Sequence, residues 1–238
     1  IQAGFNVNGS PAKDGFTSIA DINNDGKLDL VVTTARERTI ANSRTVYVWN
    51  VNGTNTPVLI ASSTIADSPI STPLENQFES GTGVAFIGDI DGNLSPEIGV
   101  TSHRRLTMFG YNGTTTLQTI SGYPQNTNDR SGYTLITMFD FNQDGEQELV
   151  YRDEQKLRII NGSTGSNLAE FDVYSATAGE GAIVADLDND GEAEIVVTDA
   201  GFFNPSLAFP NNFPPNPDAF LTIYESASAS NPWAPARA

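Results

Sequence analysis

Cysteine is absent from the 238 residues, so the fold has neither a disulfide framework nor thiol chemistry. Basic residues are scarce: 12 Lys and Arg stand against 29 Asp and Glu, for a net charge of −17 and a pI near 4.1. That balance repels phosphate backbones and anionic lipid, so neither nucleic acid nor a membrane surface is an expected partner. No apolar run approaches the roughly 18 residues of a membrane helix, so no membrane insertion is expected. No basic segment followed by an apolar stretch marks a signal peptide, and the chain opens on Ile1 without a Met. Histidine occurs once, as His103, and no G-x-S-x-G motif exists, which leaves little for nucleophilic or acid–base catalysis.

Acidic chains are often disordered. Here 38% of the residues are hydrophobic, and the acids are gathered rather than spread. Fifteen of the 29 lie in a nine-residue motif that occurs four times, thirteen of them at its first, third, fifth and ninth positions: "DINNDGKLD" (21–29), "DIDGNLSPE" (89–97), "DFNQDGEQE" (140–148) and "DLDNDGEAE" (186–194). Gathering of that kind points to a counter-cation.

The motifs start 68, 51 and 46 residues apart and carry a common frame. Before each lies a short apolar run ("GFTSIA", "GVAFIG", "YTLITMF", "GAIVA"). After each comes a β-branched run ("LVVTT", "IGVTS", "LVYR", "IVVTD"). A third strand follows ("TVYVWN", "RLTMFG", "KLRIIN", "FLTIYE"), and three of these run into Asn-Gly turns. A weaker fourth strand is visible in three units only; the last unit runs out after its third. No long stretch holds a helical period, so the chain reads as all-β. Four-stranded units of this length are propeller blades, at 14–82, 83–131, 132–179 and 180–238 within one propeller domain. Insertions interrupt the first blade near 35–44 and the last at 201–217. Residues 1–13 read as the tail of a preceding blade. Four blades suit a piece of a larger ring better than a four-bladed ring closed by the N-terminal strand.

Counted from the first Asp, oxygen side chains fall at positions 1, 3, 5 and 9. The first loop supplies Asp21, Asn23, Asp25 and Asp29, and the second Asp89, Asp91, Asn93 and Glu97. The third supplies Asp140, Asn142, Asp144 and Glu148, and the fourth Asp186, Asp188, Asp190 and Glu194. The backbone carbonyl at position 7 (Lys27, Ser95, Glu146 or Glu192) can join them. Five or six hard oxygen ligands without nitrogen or sulfur suit Ca²⁺ at about 2.3–2.6 Å, and suit Mg²⁺ less because it holds its waters. Up to four Ca²⁺ ions are therefore expected. An EF-hand needs a bidentate Glu at position 12 between helices; here that position is Val32, Val100, Tyr151 or Val197, inside β-runs. The second loop carries Leu94 where the others have Gly, with Gly92 two places early. A strained or rerouted backbone, and the weakest of the four sites, is expected there.

The pattern D-x-[DN]-x-D-G-x-x-[DE] followed by an apolar pair, repeated at blade spacing, resembles the FG-GAP/VCBS repeat family. That family includes the calcium-binding propeller of integrin α-subunit heads and many bacterial secreted or surface proteins. The resemblance implies a β-propeller of about seven blades, with Ca²⁺ between the first two strands of a blade and an extracellular or cell-surface setting.

The remaining signals are weaker. The run His103-Arg104-Arg105 is the main cationic spot; it reads as a solvated hairpin edge or as a grip for an anion. Asn-Gly-[Ser/Thr] at Asn8, Asn52, Asn112 and Asn161 matches the glycosylation pattern, but its recurrence at hairpin turns favours a turn role. Phe202, Phe203, Phe209, Phe213 and Phe220 in or beside the long insertion could form a recognition loop or pack on a blade edge. The expected function is a calcium-stabilised, non-catalytic module of an adhesin-like or secreted surface protein, binding a protein or glycan. A calcium-dependent polysaccharide lyase and a passive scaffold are the alternatives.

Overall fold

Each β-branched run that follows an acidic loop becomes an inner strand, because branched side chains pack well on a pleated surface covered on both faces. The computed structural model describes residues 15–34, 44–51, 57–66, 82–175, 179, 181–199, 220–226 and 233–235. Among these, all regular structure is β, in four antiparallel sheets, and no helix is long and apolar enough to cross a membrane. The insertion at 201–217 with Phe202, Phe203, Phe209 and Phe213, most of the insertion at 35–44, the segment 1–13, Asn8 and Asn52 lie outside the described residues.

The first sheet pairs β1 (Gly15–Ala20), β2 (Asp29–Thr34), β3 (Thr45–Asn50) and β4 (Val58–Thr64) in chain order. The second pairs β5 (Phe86–Gly88), β6 (Glu97–Ser102), β7 (Arg105–Gly110) and β8 (Gln118–Thr119), with β9 (Gln125–Asn126) also on β7. The third is β10 (Ile136–Phe139), β11 (Glu148–Arg152), β12 (Lys156–Asn161) and β13 (Asn167–Asp172). The fourth is β14 (Ile183–Ala185), β15 (Glu194–Asp199), β16 (Phe220–Ser226) and β17 (Trp233–Pro235). The last sheet departs from expectation. Trp233–Pro235 pairs with β16 and supplies the fourth strand that the sequence pattern had left missing. Three residues ending in Pro carry no readable alternation, and an edge strand tolerates a residue that cannot donate.

Burial explains the strand order. Every residue of β6 and of β11 is buried, whereas β1 and β14 are mostly exposed or half-buried. The inner strands, the second above all in the second and third sheets, are therefore the ones clamped in the core. Gly99 in β6 shows how tight this is, since a Cβ there would overlap the Phe86 ring.

The chain divides into two compact units, Ile1–Tyr133 and Thr134–Ala238, each holding two sheets. In the first unit, Val31 and Val48 share a core with Ile98 and Phe109 of the neighbouring sheet. In the second, Val150 and Ile159 share one with Ile195 and Tyr224, and the Phe171 and Tyr224 rings lie 4.5 Å apart. Both units join their sheets by the same bond. Ser18 Oγ, three residues before the first loop, donates to the Ala85 carbonyl at 2.6 Å. Thr137 Oγ1, three residues before the third loop, donates to the Ala182 carbonyl at 2.7 Å. The internal repeat is thus a repeat of inter-sheet geometry as well as of sequence.

Candidate metal sites

Each acidic loop joins the first and second strands of its sheet, and position 9 is the first residue of the buried second strand. That placement fixes one carboxylate in the interior. Asp29 is 0% exposed, Glu97 4%, Glu148 2% and Glu194 5%. In all four loops one oxygen of this carboxylate accepts the backbone N–H of position 2, from Ile22 (3.2 Å), Ile90 (3.0 Å), Phe141 (3.0 Å) and Leu187 (2.6 Å).

The rest of the loop is wound around its own side chains. The position 1 carboxylate accepts the N–H of position 6 in every loop: Gly26 to Asp21, Leu94 to Asp89, Gly145 to Asp140 and Gly191 to Asp186, at 2.7–3.1 Å. Its other oxygen accepts the N–H of position 5 in the first three loops, and that of position 4, Asn189, in the fourth. The position 3 oxygen of Asn23, Asp91, Asn142 or Asp188 accepts the N–H of position 5. The position 5 oxygen of Asp25, Asn93, Asp144 or Asp190 accepts the N–H of Lys27, Ser95, Glu146 or Glu192. Backbone N–H groups thereby hold the side-chain oxygens of positions 1, 3 and 5. The carboxylates of positions 1, 3 and 9 come together in the second and fourth loops, and among the described residues no position 5 carboxylate joins such a group.

The second loop follows the same path as the others. In the first, third and fourth loops, positions 4 and 6 both have positive φ: Asn24 56° and Gly26 81°, Gln143 59° and Gly145 92°, Asn189 64° and Gly191 93°. In the second loop Gly92 takes position 4 at 70° and Leu94 takes position 6 at 66°. Each loop therefore needs two left-handed residues and spends one glycine on them; the second loop spends it at the other place. The backbone is not rerouted. The strain is local to Leu94, whose side chain is 85% exposed.

The loop carboxylates crowd and bury negative charge. Burial, aided by Asp91 and Asp89, raises the Glu97 carboxyl to about 7. Burial raises Asp29 and Glu148 as well, with Asp25 and Asp21, and Asp144 and Asp140, adding repulsion. In the second and fourth loops the carboxylate oxygens of Asp89, Asp91 and Glu97, and of Asp186, Asp188 and Glu194, lie within 4.8 Å of one another. Two unit charges at that separation repel by about 3 kcal/mol at an effective dielectric near 20, and by less where water reaches them. In the first and third loops, where position 3 is Asn, the sign is different: Asp29 Oδ1 and Glu148 Oε1 are buried without a hydrogen-bond partner. A buried acceptor left unpaired is costly. A divalent cation would satisfy these oxygens and cancel the repulsion. The donors are all hard oxygens, a set that fits Ca²⁺.

The other sequence signals resolve as follows. His103 is buried, with Nδ1 3.1 Å from the Arg130 carbonyl, so it is not at a solvated edge. The reason is the two-residue hairpin between Ser102 and Arg105, in which Arg104 takes φ 53° and turns His103 inward. Asn112 and Asn161 act as turn residues: Asn112 Oδ1 accepts from Thr114 N at 3.2 Å and Asn161 Oδ1 from Thr164 N at 2.9 Å. Phe220 opens β16. Sequence reasoning missed one feature, a bond between loops. Asn24 Nδ2 lies 2.9 Å from Ser95 Oγ and 3.4 Å from the Leu94 carbonyl. Only the alternation of side chains at odd positions had marked ligands, and Asn24 falls at an even one.

Residues 140–197, from the start of the third loop to β15, match the FG-GAP-like repeat family. The loop pattern had pointed to that repeat, and the chain carries it. A search among curated proteins finds no match. Among solved structures, the fold is similar to that of the V. cholerae biofilm matrix protein Bap1, with a TM-score of 0.54 at 12% identity over 92% of this chain and 57% of Bap1. The chain thus spans little more than half of that protein. Weaker similarity links it to an Agrocybe aegerita lectin that recognises non-reducing terminal N-acetylglucosamine (TM-score 0.46, 15% identity, 88% of this chain and 48% of the lectin). The same holds for BBS1N solved in complex with ARL6DN (TM-score 0.45, 13% identity, 93% and 56%).

Proposed function

We propose that this all-β chain, which carries an FG-GAP-like repeat at residues 140–197, is a calcium-stabilised, non-catalytic binding module that works outside the cell. Its four sheets are the blades of a propeller that continues in further blades or domains. The observation that carries the calcium reading is the buried position 9 carboxylate, repeated four times beside other oxygens and left with an unpaired oxygen at Asp29 and Glu148. The ions are structural: each neutralises its loop and pins the first strand of a blade to the second. Four of them would change the net charge from −17 to −9.

The fold likeness to a biofilm matrix protein supports a role in a secreted or surface assembly, adhesin-like in kind. The ligand class is a protein or glycan. Burial of His103 supports the non-catalytic reading, because it withdraws the chain's sole imidazole from solvent. The test is a glycan and protein-ligand array probed with the chain in millimolar calcium and in chelator. Calcium-dependent capture of a defined ligand is the expected result. Release of unsaturated uronate from acidic polysaccharide would instead establish the lyase reading.

A further inference from the structure

The bond between the first two loops does work that neither loop needs for its own winding. Asn24 stands at position 4 of the first loop, between Asn23 and Asp25, with its backbone left-handed at φ 56°. Its amide crosses 71 residues of sequence to reach Ser95 Oγ at 2.9 Å, and touches the Leu94 carbonyl at 3.4 Å. Ser95 is position 7 of the second loop, the residue whose carbonyl is assigned to that loop's cation. Leu94 is the strained residue just before it. Among the described residues the second unit has no counterpart. Gln143 occupies position 4 of the third loop, and no hydrogen bond runs from it to the Asp186 loop.

We propose that Asn24 is a positioning residue that couples the two cation loops of the first unit, so that filling the Asp21 loop raises the affinity of the Asp89 loop. The proposal rests on the calcium reading of the loops. A cation in the first loop gathers Asn23 and Asp25 and fixes the segment between them. That holds the Asn24 amide against Ser95 and Leu94 and presets the position 7 ligand of the second loop. Coupling must be reciprocal. It belongs to the first unit alone; the loops of the second unit fill independently.

The test follows calcium titration of the full chain by amide NMR, reading Gly26, Leu94, Gly145 and Gly191 as one reporter per loop. Asn24→Gly removes the amide while keeping the left-handed backbone easy, and Ser95→Ala removes the acceptor from the other side. One neutral hydrogen bond corresponds to about a three- to tenfold change in affinity. Asn24→Gly should weaken the Asp89 loop by about that factor, and Ser95→Ala should weaken it no further in the Asn24→Gly background. Asp21→Asn, which disables the first loop, should weaken the Asp89 loop in the native chain and leave it unchanged once Asn24 is Gly. Gln143→Gly should leave the Asp186 loop unchanged. Four responding loops with an Asp89 affinity indifferent to Asn24→Gly would overturn the coupling and leave the calcium reading intact. No response at any of the four reporters would overturn the calcium reading and the coupling with it.

Discussion

Replacing Leu94 by Gly should stabilise the protein. Leu94 holds φ 66°, and an L residue there costs about 1–2 kcal/mol. Its side chain is 85% exposed, so little packing is lost with it. The greater freedom of Gly in the unfolded chain returns roughly 0.4–1 kcal/mol. The net gain is on the order of 0.5–1 kcal/mol, which for a chain of this size raises the melting temperature by about 1–4 °C. Differential scanning calorimetry in chelator reads it directly. Gly26→Ala is the mirror control. Gly26 has φ 81° and open space where a methyl group would stand, so that substitution carries backbone strain alone and should cost about 1 kcal/mol. In calcium, Leu94→Gly should also raise the affinity of the Asp89 loop relative to the native chain. An unchanged or lowered melting temperature for Leu94→Gly, beside a normal loss for Gly26→Ala, would refute the claim that position 6 is strained in this loop.

Glu97 makes a pH prediction. Its carboxyl is raised from 4.5 to about 7 in the folded, cation-free chain, so its stabilising contribution is full below pH 4.5 and lost as pH rises through 7. The urea midpoint in chelator should fall between pH 5 and 8, Glu97→Gln should flatten that fall, and the calcium affinity of the loop should climb over the same window. Asp29→Asn and Glu148→Gln should leave the chelator-treated protein as stable as the native chain or slightly more so, because each removes a buried charge. Both should forfeit part of the stabilisation by calcium, as thermal melts would show. Glu170 is held below its ordinary value by its bonds to Lys156 and Arg158, so it stabilises above pH 4.5 and loses that effect as pH falls. With 35% of its side chain exposed, Glu170→Gln should cost under about 1 kcal/mol at pH 7 and nothing at pH 3, by urea titration.

Much of this architecture was legible because two signals adjoin. β-Branched runs marked β2, β6, β11 and β15, and the odd-position oxygens of the loops just before them marked the candidate ligands. What escaped has physical causes. Whether the Asp89 loop is rerouted could not be read from the motif, because Gly marks only one of the two left-handed positions that the loop requires and here it marks the other one, Gly92. β17 escaped because Trp233–Pro235 is too short to alternate. Burial of His103 depends on the handedness of one hairpin, which a lone residue in sequence does not encode. The Asn24–Ser95 bond joins sequentially distant loops that only folding brings together.

The most direct test of the central claim is the melting temperature of the chain in millimolar calcium and in chelator, with magnesium as the control. Binding at 100 times Kd adds about 2.7 kcal/mol per site, so calcium should raise the melting temperature by at least about 5 °C. Chelator should reverse the rise, and magnesium should reproduce little of it. The same melting temperature in calcium and in chelator would contradict the account.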